Sequence, residues 1–371
     1  MKRILIMAGG TGGHIFPGLA VAKKLQTKGI KVHWLGTSGK LESQLVPQAG
    51  IPIHYIKMQG VRGKGWVGWM LAPFRLFFAI GQAIQIIRRI KPDLVLGFGG
   101  FVSAPGGLAA WMLRKPLVIH EQNAVAGAAN RCLSFLADQV FQAFPDTFAS
   151  KKAITCGNPV RAEILALAPP EQRFHKKLKT LNAPLRLLVI GGSQGALLFN
   201  EIIPKTIQGL APLGRPEIWH AAGKNHEDKT KVLYDELGVS AKVAAFIDDM
   251  AAAYAWADLV ICRSGALTVA EIAAVGLASI LVPYPHAIDN HQAKNAAWLA
   301  DHHAAIVIPQ HEFKPARLTL LLSELSINKN KLFNMAIMAR NLANTDAAEQ
   351  IADYMISTLY GSGEVQPQTR R

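Results

Sequence analysis

Cysteine is scarce in this chain of 371 residues: Cys132, Cys156 and Cys262 stand far apart and at no metal-ligand spacing. That argues against a disulfide scaffold or a zinc module and predicts reduced thiols used as buried filler. Acidic residues are nearly missing from one half. Up to Gly157 there are 19 Lys and Arg against 5 Asp and Glu, a balance of +14, whereas from Asn158 onward 21 stand against 20. A basic half of this kind suits nucleic acid, a membrane surface or a polyanionic substrate, and charge by itself does not choose among them. No signal peptide is expected at the start, because Gly9-Gly10 interrupts the first apolar stretch after five residues. The expected compartment is the cytoplasm.

Two familiar phosphate signatures are absent as well. Gly10-Thr11-Gly12-Gly13-His14-Ile15 fails the dinucleotide pattern G-x-G-x-x-G at its last position, and Leu35 is followed by Gly36-Thr37-Ser38 rather than by an acid for a ribose. A nicotinamide dehydrogenase is thereby disfavoured. No glycine loop here reads G-x-x-x-x-G-K-[ST], so the lysine and hydroxyl of an Mg-nucleotide hydrolase are missing and ATPase and kinase readings fall away.

What is present is apolar and regularly patterned: half of the residues are hydrophobic, enough for two α/β cores. The chain opens with Arg3-Ile4-Leu5-Ile6, suited to a buried parallel strand. Met7-Ala8-Gly9-Gly10-Thr11-Gly12-Gly13-His14 follows, then an amphipathic stretch carrying Leu19, Ala22 and Leu25. Glycines let a backbone approach a ligand closely, and a helix start presents N–H groups to an anion, so a phosphate ligand is expected. Further strands are predicted at 31–35, 94–96 and 117–119 with helices between them, the pattern of a doubly wound sheet. At Leu185-Arg186-Leu187-Leu188-Val189-Ile190-Gly191-Gly192-Ser193-Gln194-Gly195-Ala196 the opening theme recurs, so a second Rossmann-like domain begins there, with strands predicted at 218–223, 243–247, 259–262 and 279–282. Cys156-Gly157-Asn158-Pro159 breaks the pattern and marks the domain boundary, with ligands expected in a cleft between the halves. Near the end, Asp346 and Glu349 stand at capping-box spacing before Ile351, Met355 and Leu359, which share one helical face. Residues 361–371 read as a mobile tail.

The segment from Trp66 to Ile87 is mostly apolar and approaches a membrane span in length, but Gly68, Pro73, Arg75, Gln82 and Gln85 oppose spanning. A helix lying on the membrane surface fits better, flanked or punctuated by Arg62, Lys64, Arg75, Arg88, Arg89 and Lys91. Each basic residue beside anionic lipid contributes roughly 1 kcal/mol. The bland alternative is a buried core helix. The densest polar constellation is Arg263-Ser264-Gly265-Ala266-Leu267-Thr268-Val269-Ala270-Glu271, placed after the strand 259–262. Amides at that helix start suit a diphosphate, and Glu271, about two turns in, suits ribose hydroxyls. On spacing alone, a solvated helix residue is an equal reading of Glu271.

Six ordered motifs then converge: Gly9-Gly10-Thr11-Gly12-Gly13-His14, Gly99-Gly100-Phe101-Val102-Ser103-Ala104-Pro105-Gly106, His120-Glu121-Gln122-Asn123, Gly157-Asn158-Pro159-Val160-Arg161, Gly191-Gly192-Ser193-Gln194-Gly195-Ala196 and the run from Arg263 to Glu271. From about Ile4 to Tyr360 the chain resembles the MurG family, the UDP-N-acetylglucosamine:N-acetylmuramyl-(pentapeptide)-pyrophosphoryl-undecaprenol N-acetylglucosaminyltransferases of peptidoglycan synthesis. The resemblance implies the GT-B architecture, two Rossmann-like domains facing each other across a cleft. Residues 1–157 would form the acceptor and membrane-binding domain, 158–345 the UDP-GlcNAc-binding domain, and the helix 346–360 would return to the first. The implied reaction is inverting transfer of GlcNAc from UDP-GlcNAc to the C4 hydroxyl of the MurNAc of lipid I, giving lipid II. No cofactor is implied and no metal, since helix amides can carry the leaving diphosphate's charge.

By the same resemblance, Ile247 would hold uracil through its backbone, and Glu271 the ribose. Ser193 would hold the diphosphate with the helix start Ala266, Leu267 and Thr268, followed by Val269 and Ala270. Arg161 would contact the donor, Asn123 and Gln292 the GlcNAc hydroxyls, and Thr11, Gly12 and Gly13 would face the donor sugar from a loop assigned mainly to the acceptor diphosphate. An inverting displacement needs a base for the acceptor proton, and His14 is the candidate, since histidine is the side chain whose ordinary pKa lies near neutrality. The competing role for His14 is a helix cap or phosphate ligand that moves no proton. Trp66, Trp69, Met70, Phe74, Arg75, Phe77 and Phe78 would contact anionic lipids on the cytoplasmic face of the bacterial inner membrane, with Trp111, Arg114 and Lys115 as additions. Partners implied are lipid I and the cell-wall and division machinery. Nucleic acid is rejected because the basic residues are interleaved with a large apolar segment. Two other classes stay open at this point: a UDP-GlcNAc 2-epimerase on a similar fold, and a membrane-bound UDP-sugar sensor without turnover.

Overall fold

The computed structural model describes residues 1–58, 70–178, 183–192 and 195–361. It divides into two compact units, Met1–Arg161 together with the chain from Asn344, and Ala162–Ala343.

The first unit is built on seven parallel strands: β1 (Arg3–Met7), β2 (Lys31–Gly36), β3 (Ile53–Tyr55), β4 (Leu94–Gly97), β5 (Leu117–Glu121), β6 (Gln139–Gln142) and β7 (Ala153–Thr155). Their order is β3-β2-β1-β4-β5-β6-β7, so the winding reverses between β1 and β4. At that edge Met7 registers with Leu35 on one side and Gly97 on the other. The loops that follow β1 and β4 therefore leave the sheet side by side, at the point where open α/β sheets bind ligands. Alternation along β1 sends Ile4 and Ile6 into a core with Trp34, Leu25 and the C-terminal helix residues Ile351 and Met355, while Leu5 and Met7 face Ala79, Ala83 and Ile87.

The second unit repeats the plan with six parallel strands: β8 (Arg186–Ile190), β9 (Glu217–Ala221), β10 (Lys242–Ala244), β11 (Leu259–Cys262), β12 (Ala278–Leu281) and β13 (Ala305–Val307), ordered β10-β9-β8-β11-β12-β13. Ile190 registers with Ala221 and Cys262, so the loops after β8 and β11 flank this sheet's own reversal.

Several local expectations change. The strands β3, β6, β7 and β13 escape a hydrophobic-run criterion because they are three or four residues long and include His54, Tyr55, Gln139 and Gln142. The strand expected at 243–247 ends at Ala244, which leaves Ile247 as a buried loop residue. Asp346 does occupy the N-cap of the Ala347–Tyr360 helix, but no side-chain cap bond forms. Glu349 instead pairs with Lys24 at 2.9 Å and with Lys28, which ties the last helix to the Gly12–Thr27 helix. Those hydrogen bonds hold the Glu349 carboxyl below its ordinary pKa. Cys156 and Cys262 are buried filler, whereas Cys132 is exposed.

Among the described residues the apolar segment forms a helix from Ala72 to Ile90, with Pro73 in its first turn, where no N–H is missed. Ala79, Ala83, Ile87 and Ile90 form its buried stripe, while Phe74, Phe77 and Phe78 are exposed at 66%, 73% and 69%. The core-helix alternative thus describes one face and the surface-helix reading the other. Among the described residues no helix is long and apolar enough to cross a membrane. Trp66 and Trp69, like the positively charged Arg62 and Lys64, lie outside the described residues, as do residues 362–371 of the expected tail 361–371.

Candidate functional site

At the reversal of the first sheet, β1 runs through Ala8-Gly9-Gly10 into the Gly12–Thr27 helix, whose N-cap is Thr11 with extended backbone. The helix thus begins inside the glycine motif, and Gly12, Gly13 and His14 form its first turn. The Thr11 side chain does not cap the backbone. Its Oγ1 lies 3.0 Å from His14 Nδ1, so it fixes the imidazole rather than the helix end. The loop after β4 closes on the same place. Gly100 has φ +79°, and a β-carbon there would fall 2.2 Å from the Gly9 carbonyl oxygen, so only glycine admits this approach. The buried Ser103 hydroxyl locks the second loop, accepting from Gly99 N–H at 3.0 Å and lying 2.7 Å from the Gly99 carbonyl and 3.2 Å from that of Met7.

The motif His120-Glu121-Gln122-Asn123 divides into support and display. Burial pushes the His120 pKa down to about 4, and the neutral ring donates from Nε2 to the Gly157 carbonyl at 2.9 Å and accepts at Nδ1 from Gln122 at 3.0 Å. Glu121, also buried, accepts from Asn123 N–H at 3.0 Å and Asn123 Nδ2 at 3.2 Å through one oxygen, and from Gly127 N–H and Asn130 Nδ2 through the other. Asn123 is thereby oriented by its neighbour two residues back. Arg161 lies with its guanidinium 4.9 Å from the centre of the Phe16 ring, one turn along from the glycine loop.

In the second unit, β11 leads through Arg263, Ser264 and Gly265 into the Ala266–Val275 helix. Gly265 is an extended N-cap that makes no side-chain cap bond, and no acid stands in the first turn, a helix start suited to a bound anion. Ala266 and Val269 are buried, Leu267, Thr268 and Ala270 partly so. Glu271 is not the solvated residue that spacing allowed: it is 5% exposed, and its Oε2 accepts from the Tyr254 hydroxyl at 3.1 Å. Arg263 spans the neighbouring strand end, donating to the carbonyls of Val282 and Pro283 and, at 2.8 Å, to Gln310 Oε1. Gln292 is held twice, its carbonyl by the buried Ser264 hydroxyl at 2.8 Å and its side-chain oxygen by Tyr284 N–H at 2.9 Å. Ser193 lies outside the described residues.

The structure thus gathers Thr11, Gly12, Gly13, His14, Asn123 and Arg161 in the first unit, and Ile247, the 266–271 run and Gln292 in the second. Met70, Phe74, Phe77 and Phe78 lie exposed at the start of the Ala72–Ile90 helix, beside the Ser103–Met112 helix that carries the half-exposed Trp111; Arg75 is only partly exposed. Among the described residues no group of three or more His, Cys, Asp or Glu side chains is arranged to hold a metal ion. Sequence reasoning missed Glu42 and Tyr254. Glu42 left a signal, as the single acid among the first 92 residues of a basic half. Tyr254 left none, because its partner is 17 residues away in another helix.

Comparison with known proteins matches residues 4–142 to the glycosyltransferase family 28 N-terminal domain and residues 186–351 to the glycosyltransferase family 28 C-terminal domain. The UDP-N-acetylglucosamine--N-acetylmuramyl-(pentapeptide) pyrophosphoryl-undecaprenol N-acetylglucosamine transferase of Marinobacter nauticus is 47% identical, covering 97% of this chain and 98% of the relative. The transferase of the same description from Stutzerimonas stutzeri is 51% identical over 96% and 99%. The crystal structure of Acinetobacter baumannii MurG superposes with a TM-score of 0.81 at 41% identity, over 96% of this chain and 100% of that one. A UDP-GlcNAc 2-epimerase from Neisseria meningitidis, bound to UDP-GlcNAc, reaches a TM-score of 0.67 at 13% identity over 96% and 100%, a likeness of fold alone.

Proposed function

The chain belongs to the MurG family, and from that premise we propose how its two units divide the chemistry between them. The protein is a GlcNAc transferase of the GT-B fold that uses UDP-GlcNAc and lipid I and forms lipid II. Identity near one half over almost the whole chain carries this conclusion, and the 13% identity of the epimerase leaves that alternative with the fold only.

The second unit is the donor side. The start of the Ala266–Val275 helix receives the diphosphate, Glu271 takes the ribose hydroxyls, and Ile247 meets the uracil through its backbone. With the Gln292 oxygen committed to Tyr284, its side-chain NH2 is the group that reaches a GlcNAc hydroxyl. Asn123 and Arg161 contact the donor from the first unit, and Ser193 and the Thr11-Gly12-Gly13 loop complete the set.

His14 is the base for an inverting displacement. As a base it would use the tautomer in which Nδ1–H donates to Thr11 Oγ1, 3.0 Å away, and Nε2 takes the proton of the acceptor C4 hydroxyl. The acceptor oxygen then bonds to the anomeric carbon on the face opposite the diphosphate. The bond from that carbon to the UDP oxygen breaks, and UDP departs with the electron pair, its charge met by helix-start amides. The exposed rings of Phe74, Phe77 and Phe78, in a basic half of the chain, hold the first unit on the cytoplasmic face of the inner membrane, where lipid I lies.

The test is GlcNAc transfer from labelled UDP-GlcNAc to a lipid I analogue, with and without EDTA, for the native protein and His14→Ala. Transfer that persists in EDTA, is lost in His14→Ala and leaves UDP-GlcNAc binding intact supports the assignment. Full turnover by His14→Ala would remove the base, and release of free UDP-ManNAc in place of lipid-linked product would remove the reaction.

A further inference from the structure

The Glu42–Gln48 helix begins with a carboxylate at 0% exposure, in a stretch that contains no other acid before Asp93. Its Oε1 accepts from Thr37 N–H at 3.0 Å and from Thr37 Oγ1 at 2.6 Å, and its Oε2 accepts from Gly10 N–H at 3.1 Å. The two backbone amides can only donate, and an ionised carboxylate, which only accepts, serves them and the hydroxyl together. Two glycines make room for it: a β-carbon at Gly9 would lie 2.8 Å from Glu42 Oε1, and one at Gly36 would lie 2.9 Å from Glu42 Cγ. Burying an ionised group is expensive, and a neutral side chain would pack the ends of β1 and β2 at lower cost.

What the carboxylate holds is the residue just before the N-cap. Gly10 has φ +95°, Thr11 is extended at φ −126° and ψ 156°, and Thr11 Oγ1 is the atom that meets His14 Nδ1. A Gly10 amide released from Glu42 would let this turn rotate, and the Thr11 hydroxyl would leave the imidazole. We propose that Glu42 is a positioning residue for glycosyl transfer, fixing Gly10 so that Thr11 holds the His14 ring in its working tautomer and direction. The role rests on His14 being the base. Glu42 is fully buried, so it acts through Gly10 and Thr11.

Glu42→Gln and Thr37→Val separate positioning from packing, measured beside His14→Ala in the full-length protein. In Glu42→Gln the amide oxygen can keep the Thr37 partners, but the NH2 then faces Gly10 N–H, donor against donor. Thr37→Val removes one hydroxyl and leaves the Gly10 bond. Glu42→Gln is expected to lower kcat by about 10- to 100-fold, the loss typical of a misplaced catalytic group. Its KM for UDP-GlcNAc moves by no more than about threefold, because only the Thr11-Gly12-Gly13 loop among the donor contacts is disturbed, while Thr37→Val keeps kcat within about twofold at a comparable fall in Tm. A kcat for Glu42→Gln equal to wild type overturns the role, as does a loss of kcat shared by both variants in step with their Tm. An inactive His14→Ala beside a fully active Glu42→Gln removes Glu42 alone, whereas an active His14→Ala removes the base and this role with it.

Discussion

Gly99 and His14 are in contact across the first unit's two loops: a β-carbon on Gly99 would stand 2.8 Å from His14 Cδ2 and 3.0 Å from Nε2. Gly99 also has φ +95°, so any side chain there is strained as well as obstructive. The residue 85 positions away along the chain is thus a wall of the imidazole's site.

Gly99→Ala is accordingly expected to displace the ring and lower turnover by at least about tenfold, in line with the sensitivity of catalysis to small misplacements. UDP-GlcNAc binding, measured by calorimetry, should not change. Wild-type turnover would show that the imidazole acts from another position.

Tyr254→Phe should weaken the donor side. The variant keeps the ring in the core and removes the hydroxyl that Glu271 Oε2 accepts, a bond to a charged group worth about 1.5–3 kcal/mol. If Glu271 takes the ribose, KM for UDP-GlcNAc rises by up to about 10- to 150-fold with little change in kcat. An unchanged KM would detach Glu271 from donor binding.

Replacing Phe74, Phe77 and Phe78 together with Ser removes an exposed face without touching the buried stripe of Ala79, Ala83 and Ile87. Co-sedimentation with vesicles containing anionic phospholipid should fall sharply, at about 1–2 kcal/mol for each ring that inserts. Transfer to a short-chain, water-soluble acceptor should persist. Undiminished sedimentation would refute the patch as the membrane contact.

Stability should decline in mild acid in both units. Burial lowers the pKa of His120 to about 4 and that of His220 to about 3, against 6.5 for an unfolded histidine. Between those values the unfolded chain binds the proton and the folded chain does not, so stability rises with pH and is lost as pH falls below 6.5. Going from pH 7 to pH 5 should cost about 2 kcal/mol per histidine, with one in each unit. Calorimetry at the two pH values reads this as a lower Tm at pH 5, and a flat profile would contradict the neutral assignment.

Much of the proposed donor and acceptor machinery is read from contiguous residues. A glycine loop after an apolar strand, or an Arg263 to Glu271 run after another, keeps its meaning wherever the strand sits, because backbone amides at a helix start bind anions by their own geometry. The apolar run 72–87 was harder, since composition does not say which stripe of a helix meets the sheet. Packing against the first unit's sheet and the Ser103–Met112 helix chose Ala79, Ala83 and Ile87 and left the phenylalanines outside. Short strands such as β3 and β7 were illegible because three residues carry no periodicity and exist through a neighbour's hydrogen bonds.

By itself, then, the sequence determined the family, the repeated strand-loop-helix plan and the charge asymmetry, all of which are written in contiguous residues. Tertiary structure alone decided the contacts between residues distant in the chain. It turned the expected capping acid Glu349 toward Lys28, buried Glu271 under Tyr254, brought Gly99 against His14, and set Glu42 beneath Gly10. The physical reason is common to all four. A side chain's partner is set by which strands lie adjacent and which helices pack, and that register is a property of the folded sheet rather than of any window of residues.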